Sequence, residues 1–152
     1  MWREVKSDAA FELRQLDQLL ESFGPLLART PATDPDRIDT TALGAMLHSF
    51  YTGVENIFKR IAIESEGAIP GGESWHSELL KSMAVPAANR PAVITMGLRD
   101  RLADYLAFRH VFRSAYSFLL RWDRMAPLVL HCEATLRLLE TELDAFLAAR
   151  TD

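Results

Sequence analysis

A cluster of arginines and tyrosines lies where an amphipathic helix should be apolar. Over residues 94–121 the apolar residues recur at three- and four-residue steps, which predicts one long helix. At about 100° per residue, two arginines and two tyrosines share its apolar stripe: Arg109, Arg113, Tyr105 and Tyr116. A charged side chain on such a face must be paired or must line an opening. Since a guanidinium binds phosphate oxygens in a planar, bidentate manner, the arginine pair is a candidate phosphate site.

The same residues admit a purely structural interpretation. Arg109 and Arg113 would then form buried or rim salt bridges, with Glu55 or Glu64 of the preceding long helix as partners. The two tyrosines would be core or interface aromatics, each with one satisfied hydroxyl group. Spacing alone leaves both interpretations open.

Charge is distributed unevenly along the chain. The formal net charge of −4 argues against a general nucleic-acid binder. Residues 99–124, by contrast, contain six arginines and no lysine against three aspartates. Arginine without lysine suits phosphate recognition, although a short basic run is often only a solvated face.

Five helical patterns would position these residues. Periodicity predicts helices over about residues 5–27, 36–66, 74–83, 94–121 and 123–149, with connectors rich in Gly and Pro. We expect Asp34 or Asp36 to cap the second helix, Ser74 to cap the third, and Pro127 to lie in the first turn of the last. No strand-like alternation occurs. The prediction is an all-α fold, an up-and-down helical bundle of about five helices, forming a single domain over residues 1–152.

Composition narrows the class of protein further. Cys132 is the only cysteine, which excludes a disulfide framework, and its place on an apolar stripe predicts an inert, buried thiol. The histidines have no acidic or cysteine partner at a metal-ligand spacing, so we expect no metal and no cofactor. They are His48, His76, His110 and His131. With no apolar leader and no run of about 18 apolar residues, we expect a cytoplasmic protein without a membrane span.

Several stretches resemble one family, in the same order. The run FRHVFRSAY at residues 108–116 is similar to the signature segment of HepT-like proteins, a branch of the HEPN superfamily. Three further stretches resemble the same subgroup, as does the closing helix: YTGVENIFKRIA at 51–62, WHSELL at 75–80 and RPAVI at 90–94. The resemblance covers residues 40–148. It implies an all-α HEPN bundle that dimerises.

The family motif is an arginine, four residues, a histidine, one residue and a tyrosine. Arg109 and Tyr116 match it, whereas Ser114 stands in the histidine position. The resemblance implies a metal-independent endoribonuclease in which Arg109 holds the scissile phosphate, with Arg113 in support, and the histidine moves a proton. A serine hydroxyl can orient a phosphate or a water but cannot act as a base near neutral pH. His110 is the candidate substitute, although a lone histidine on a helix flank is more often a surface residue.

The resemblance also implies partners. In these two-gene toxin-antitoxin systems a minimal nucleotidyltransferase antitoxin silences the toxin, and the motif tyrosine accepts the nucleotide. Tyr116 inherits this role as the adenylylation acceptor. Three functions remain open. The first is a toxin that cleaves RNA, and the second is a catalytically degenerate HEPN protein that binds a nucleotidyltransferase. A third is a nucleotide-binding subunit of that transferase. We expect a homodimer with the Arg109 face at or near the two-fold interface.

Overall fold

One long helix forms the centre of the structure. The computed structural model describes residues 1–87 and 89–152, and in that part of the chain all regular structure is helical apart from an isolated bridge between Ala87 and Arg90. The helices are α1 (Trp2–Ser22), α2 (Gly24–Arg29), α3 (Arg37–Glu66), α4 (Trp75–Met83), α5 (Met96–Ser114), α6 (Trp122–Leu130) and α7 (Cys132–Ala148). The central α3 packs against α1, α4, α5 and α6, and α7 packs against α1, α5 and α6. The predicted all-α bundle is confirmed.

The two ends of α3 show why it is long and well defined. The carboxylate of Asp36 accepts a hydrogen bond from the backbone N–H of Asp39 at 2.8 Å, so the predicted cap by Asp36 is confirmed. Gly67 follows the last turn with φ 83°, and its N–H donates to the carbonyl of Ile63. Glycine adopts this left-handed conformation without steric cost, which stops the helix there.

Two of the five predicted helices are divided. The first ends at Ser22, and the chain restarts at Gly24 with Pro25 in the first turn of α2, a position that proline favours. The last is broken at His131, whose carbonyl accepts both the N–H and the hydroxyl of Thr135. Pro127 therefore lies inside α6, not in the first turn of one continuous helix. In place of the five predicted helices, the described residues form seven.

The prediction for α5 is wrong at its C-terminal end. The helix ends at Ser114, because Ala115 is extended (φ −110°, ψ 151°), and a short 3-10 turn over Ser117–Leu119 follows. Tyr116 is thus not on the helix, and Arg113 is exposed. Of the two arginines and two tyrosines assigned to the stripe, Tyr105 and Arg109 lie on the inner face. Tyr116 falls beyond the end of the helix, where the helical repeat no longer applies, and Arg113 is exposed in the last turn.

The start of α5 is fixed by its capping residue and by one side chain of α7. The Thr95 hydroxyl accepts a hydrogen bond from the N–H of Leu98, and Glu142 of α7 accepts from both the N–H and the hydroxyl of Thr95. Ser74, by contrast, makes no side-chain cap for α4, so that prediction is wrong. Its backbone (φ −97°, ψ 22°) is not in the extended region that a capping residue normally adopts.

The connector between α4 and α5 is held by a buried arginine. The Arg90 side chain is fully buried and pairs with Glu66 at the end of α3, with Nη2 2.6 Å from Oε1. It also donates to the carbonyls of Val85 and Ser82. These bonds satisfy the buried guanidinium and set the path by which α5 enters the bundle.

Candidate functional site

Arg109 lies on the face of α5 that packs against α3. Leu98, Leu102 and Tyr105 precede it on this face and are buried, and the Tyr105 hydroxyl donates to the carbonyl of Leu128 at 2.7 Å. Tyr105 is therefore the core tyrosine with a satisfied hydroxyl that the structural interpretation described. The Arg109 side chain, one turn later, is 12% exposed. The sequence pattern predicted charged side chains on the inner face of this helix, and for Arg109 the prediction is confirmed.

Glu55 of α3 is the ion-pair partner of this arginine. Its side chain is 4% exposed, and its Oε1 accepts a hydrogen bond from Arg109 Nη1 at 3.0 Å. The predicted salt bridge to Glu55 is thus confirmed. Removing one member of a buried pair leaves an uncompensated charge, so each side chain fixes the other in place.

The second oxygen of Glu55 is bound by a histidine from a third helix. His76, near the start of α4, places Nδ1 2.7 Å from Glu55 Oε2. A carboxylate oxygen accepts hydrogen bonds, so Nδ1 is the donor in this contact, and Nε2 is the ring nitrogen that does not bind Glu55. Trp75 stacks on the imidazole with ring centroids 3.7 Å apart. We refer to Arg109, Glu55 and His76 as the Glu55 cluster.

The Glu55 cluster opens towards a groove between α4 and α5. His76 is 29% exposed and lines this groove, which has a volume of about 770 Å³. Lys81, Arg99 and His110 line it as well. The cluster thus combines a buried ionic centre with one edge that a ligand can reach.

One atom of the cluster lacks a hydrogen-bond partner. Nε of Arg109 is buried and meets no acceptor among the described residues. Buried N–H groups in native proteins are nearly always satisfied, and one that is not calls for a functional explanation. An anionic oxygen entering beside Arg109 would satisfy it.

Arg109 also shapes the titration of its neighbours. Burial, followed by the charges of Arg109 and Arg113, lowers the pKa of His48. Burial raises the pKa of Tyr51, with the Glu55 charge adding to the effect and Arg109 opposing it. The surroundings of Arg109 therefore disfavour a second cation at His48.

The other motif residues lie at the exposed end of α5. Ser114 is its last residue, and its hydroxyl donates to the carbonyl of His110 at 2.8 Å. His110 and Arg113 are exposed, and Tyr116 is 74% exposed and stacks on Phe118. In the described part of the chain no hydrogen bond joins any of these side chains to Arg109.

Sequence reasoning identified Glu55 only as a salt-bridge partner, and it named His76 only among the histidines that lack a partner at a metal-ligand spacing. A signal for Glu55 was present, because it lies on the apolar stripe of α3 between Tyr51 and Phe58. No comparable signal pointed to His76. The loop that follows Gly67 brings His76 to Glu55, and the path of a loop leaves no periodic pattern in the sequence.

The arrangement can do two things chemically. The guanidinium of Arg109 can stabilise negative charge on a phosphoryl oxygen, and an imidazole oriented by a carboxylate can move a proton. Within residues 1–87 and 89–152 no group of three His, Cys, Asp or Glu side chains is placed to hold a metal ion. The same residues include no helix long and apolar enough to span a membrane.

A helical bundle with a buried arginine at the motif position agrees with the resemblance over residues 40–148. The family model described as HepT-like protein matches residues 42–150. The chain belongs to the HepT-like family of HEPN proteins. No curated protein and no solved structure matches it.

Proposed function

We propose that this protein is the toxin component of a toxin-antitoxin pair, a metal-independent HEPN-type ribonuclease. The observation that carries the proposal is Arg109, the motif arginine of a HepT-like chain. It is held by Glu55, and its buried Nε meets no acceptor among the described residues. A guanidinium fixed in advance stabilises charge on a phosphate without reorganising during the reaction.

The site residues have the following roles in this proposal. Arg109 binds the scissile phosphate, and the exposed Arg113, one turn later, attracts the flanking RNA backbone. Ser114 orients a phosphate or a water, since its hydroxyl is unsuited to proton transfer at neutral pH. His110 is the candidate proton carrier on α5 itself.

The proposed antitoxin is a minimal nucleotidyltransferase that modifies Tyr116. A transferase must reach the acceptor hydroxyl, and the side chain of Tyr116 is largely exposed, just beyond the end of α5. An attached nucleotide would add negative charge close to Arg113 and obstruct the approach of RNA. Adenylylation would then inhibit by electrostatic and steric means.

We further propose that the active form is a homodimer in the cytoplasm. Large apolar side chains are exposed at and after the end of α5: Val111, Phe118 and Leu119. Val111 and Leu119 border an apolar cleft of about 600 Å³ between α5 and α6, which Arg121 and Arg124 also line. An apolar surface with a charged rim suits a subunit interface.

The proposal is tested by RNA cleavage with EDTA present. Wild-type protein should cleave, and Arg109→Ala should lose about 10²- to 10³-fold in rate, as expected for loss of one donor to the transition state. Arg3→Ala, an exposed arginine on α1, is the matched control and should cleave normally. Circular dichroism shows whether Arg109→Ala remains folded. If folded wild-type protein leaves RNA intact while Ser114→His cleaves it, the proposed ribonuclease function is wrong.

A second function is favoured by the position of Ser114. Its hydroxyl is bonded to its own helix, and among the described residues no hydrogen bond joins it to Arg109. A degenerate HEPN protein of this kind would act as a binding partner of a nucleotidyltransferase. Co-purification with the product of a neighbouring nucleotidyltransferase gene, without RNA damage, is the result expected for this alternative.

A further inference from the structure

The Glu55 cluster contains a histidine that the family motif does not include. We propose that His76 supplies the proton transfer that Ser114 cannot, and that Glu55 is its positioning residue. This inference rests on the proposed ribonuclease function and identifies its base.

The orientation of His76 is fixed from two sides. Its Nδ1 is bound to Glu55 at 2.7 Å, and Trp75 stacks against its ring. Nε2 is therefore the nitrogen available to a ligand, on a side chain that lines the groove between α4 and α5. A carboxylate behind an imidazole sets the tautomer and stabilises the imidazolium that forms when the ring accepts a proton.

One carboxyl group also sets the position of His76 relative to Arg109. Oε1 of Glu55 accepts from Arg109 and Oε2 binds His76, so the phosphate-binding cation and the base are each one hydrogen bond from Glu55. Because Glu55 is buried in α3, this relation is held by the core of the protein and not by a surface loop.

The competing groups on α5 lack such support. The Ser114 hydroxyl is bonded to backbone carbonyls of its own helix. His110 is exposed, and in the part of the chain that the structure describes no hydrogen bond fixes its ring. A base whose ring is held in place loses less freedom in the transition state than one that must be immobilised.

The proposed step is an internal transfer within RNA. Nε2 of His76 takes the proton of a 2′-hydroxyl, the 2′-oxygen bonds to phosphorus, and the bond from phosphorus to the 5′-oxygen breaks. The departing 5′-oxygen takes its proton from water, and the products are a 2′,3′-cyclic phosphate and a 5′-hydroxyl. Arg109 stabilises the negative charge that grows on the phosphoryl oxygens.

The test uses His76→Asn in the full-length protein. Asparagine places its amide nitrogen near the position of Nδ1, so it can keep the bond to Glu55 but cannot transfer a proton. We expect the cleavage rate to fall about 10²- to 10⁴-fold with an unchanged thermal midpoint. The rate of wild-type protein should rise with pH along a limb set by one titrating group, and the variant should lose that limb. A residue with only a structural role would lower the rate without changing the shape of the profile.

Matched variants separate the possible outcomes. His131→Asn alters an exposed histidine between α6 and α7 and should retain both rate and profile. If His110→Asn, and not His76→Asn, abolishes the limb, the base is His110 and the inference is overturned. Wild-type protein that does not cleave RNA refutes the proposed function and this inference together. Wild-type protein that cleaves beside an equally active His76→Asn refutes the inference alone.

A second variant covers a folding defect in His76→Asn. His76→Ala leaves space beside Glu55, and added imidazole should restore cleavage if proton transfer is what was lost. A folded His76→Ala that imidazole does not rescue counts against the inference.

Discussion

Glu55 binds two side chains from two other helices, and the three residues are not equally replaceable. Arg109 has Glu55 as its one carboxylate partner in the described structure, whereas Glu55 has both Arg109 and His76. Loss of Glu55 leaves the mostly buried guanidinium of Arg109 without a carboxylate partner. Loss of Arg109 leaves Glu55 paired with the His76 imidazole, which can become cationic. The energetic consequences of the two substitutions should therefore differ.

We expect Glu55→Leu to lower the free energy of unfolding by about 3–5 kcal/mol, the range for breaking a buried ion pair on one side. Arg109→Leu should cost less, because His76 remains beside Glu55. The double variant should recover much of the loss, since an apolar pair replaces the ionic one. Urea denaturation measures all three values. Equal losses for the two single variants would contradict the asymmetry.

The lowered pKa of His48 predicts how stability responds to pH. In the unfolded chain the pKa of a histidine is about 6.5. In the folded protein, burial and the charges of Arg109 and Arg113 lower the pKa of His48, so the ring stays neutral to lower pH. Between these two pKa values the unfolded state binds more protons, so the free energy of unfolding should fall as pH is lowered through this window. His48→Gln should remove this contribution, while His131→Gln, at an exposed position, should retain it. Identical pH dependence in wild type and His48→Gln would contradict the assignment.

At the scale of helices, the sequence pattern predicted the bounds of α3 and α4, but it missed the breaks in the first and last predicted helices and the end of α5. The cores of α3 and α5 follow their apolar stripes, and Asp36 marked the start of α3. Near the end of α5 the chain makes a tertiary contact, which a pattern within one helix cannot reveal. Phe112 of α5 and Leu120, beyond the 3-10 turn, both approach Gly44 of α3.

Gly44→Ala tests this contact. A methyl group there would lie 2.8 Å from a ring carbon of Phe112 and 3.2 Å from Leu120 Cδ1, so both side chains would have to move. Overpacking of this kind costs about 1–3 kcal/mol, and we expect it to loosen the end of α5 near Ser114. Thermal unfolding and amide exchange measure the two effects. Gly24→Ala is the control, because a methyl group there meets nothing within 4 Å.

At the scale of the whole molecule, a group of exposed apolar side chains lies within and just after the motif. Val111, Phe118 and Leu119 lie on this surface, and the resemblance to a dimerising family agrees with its use in association. The sequence predicted a dimer from the family, but apolar residues after the end of a helix have no recognisable pattern. The surface appears only once the chain turns at Ala115.

Phe118→Asp should convert the proposed dimer to a monomer with little change in the thermal midpoint of the monomer. The side chain is 60% exposed, so the substitution removes little from the core of one subunit. Light scattering coupled to size-exclusion chromatography measures the mass. Ile38→Asp, at a 79% exposed position at the start of α3, is the matched control and should leave the mass unchanged. A wild-type protein that is monomeric throughout would exclude the homodimer.

The bond between Glu142 and Thr95 has a consequence for synthesis. Glu142 lies 47 residues after Thr95, whose N–H and hydroxyl it accepts, so the first turn of α5 is held by a segment that is synthesised later than α5 itself. The helix that carries Arg109 gains its full set of contacts only when α7 has docked. A chain in which α7 has not yet docked lacks this contact, so the first turn of α5 would be held less firmly until α7 is in place.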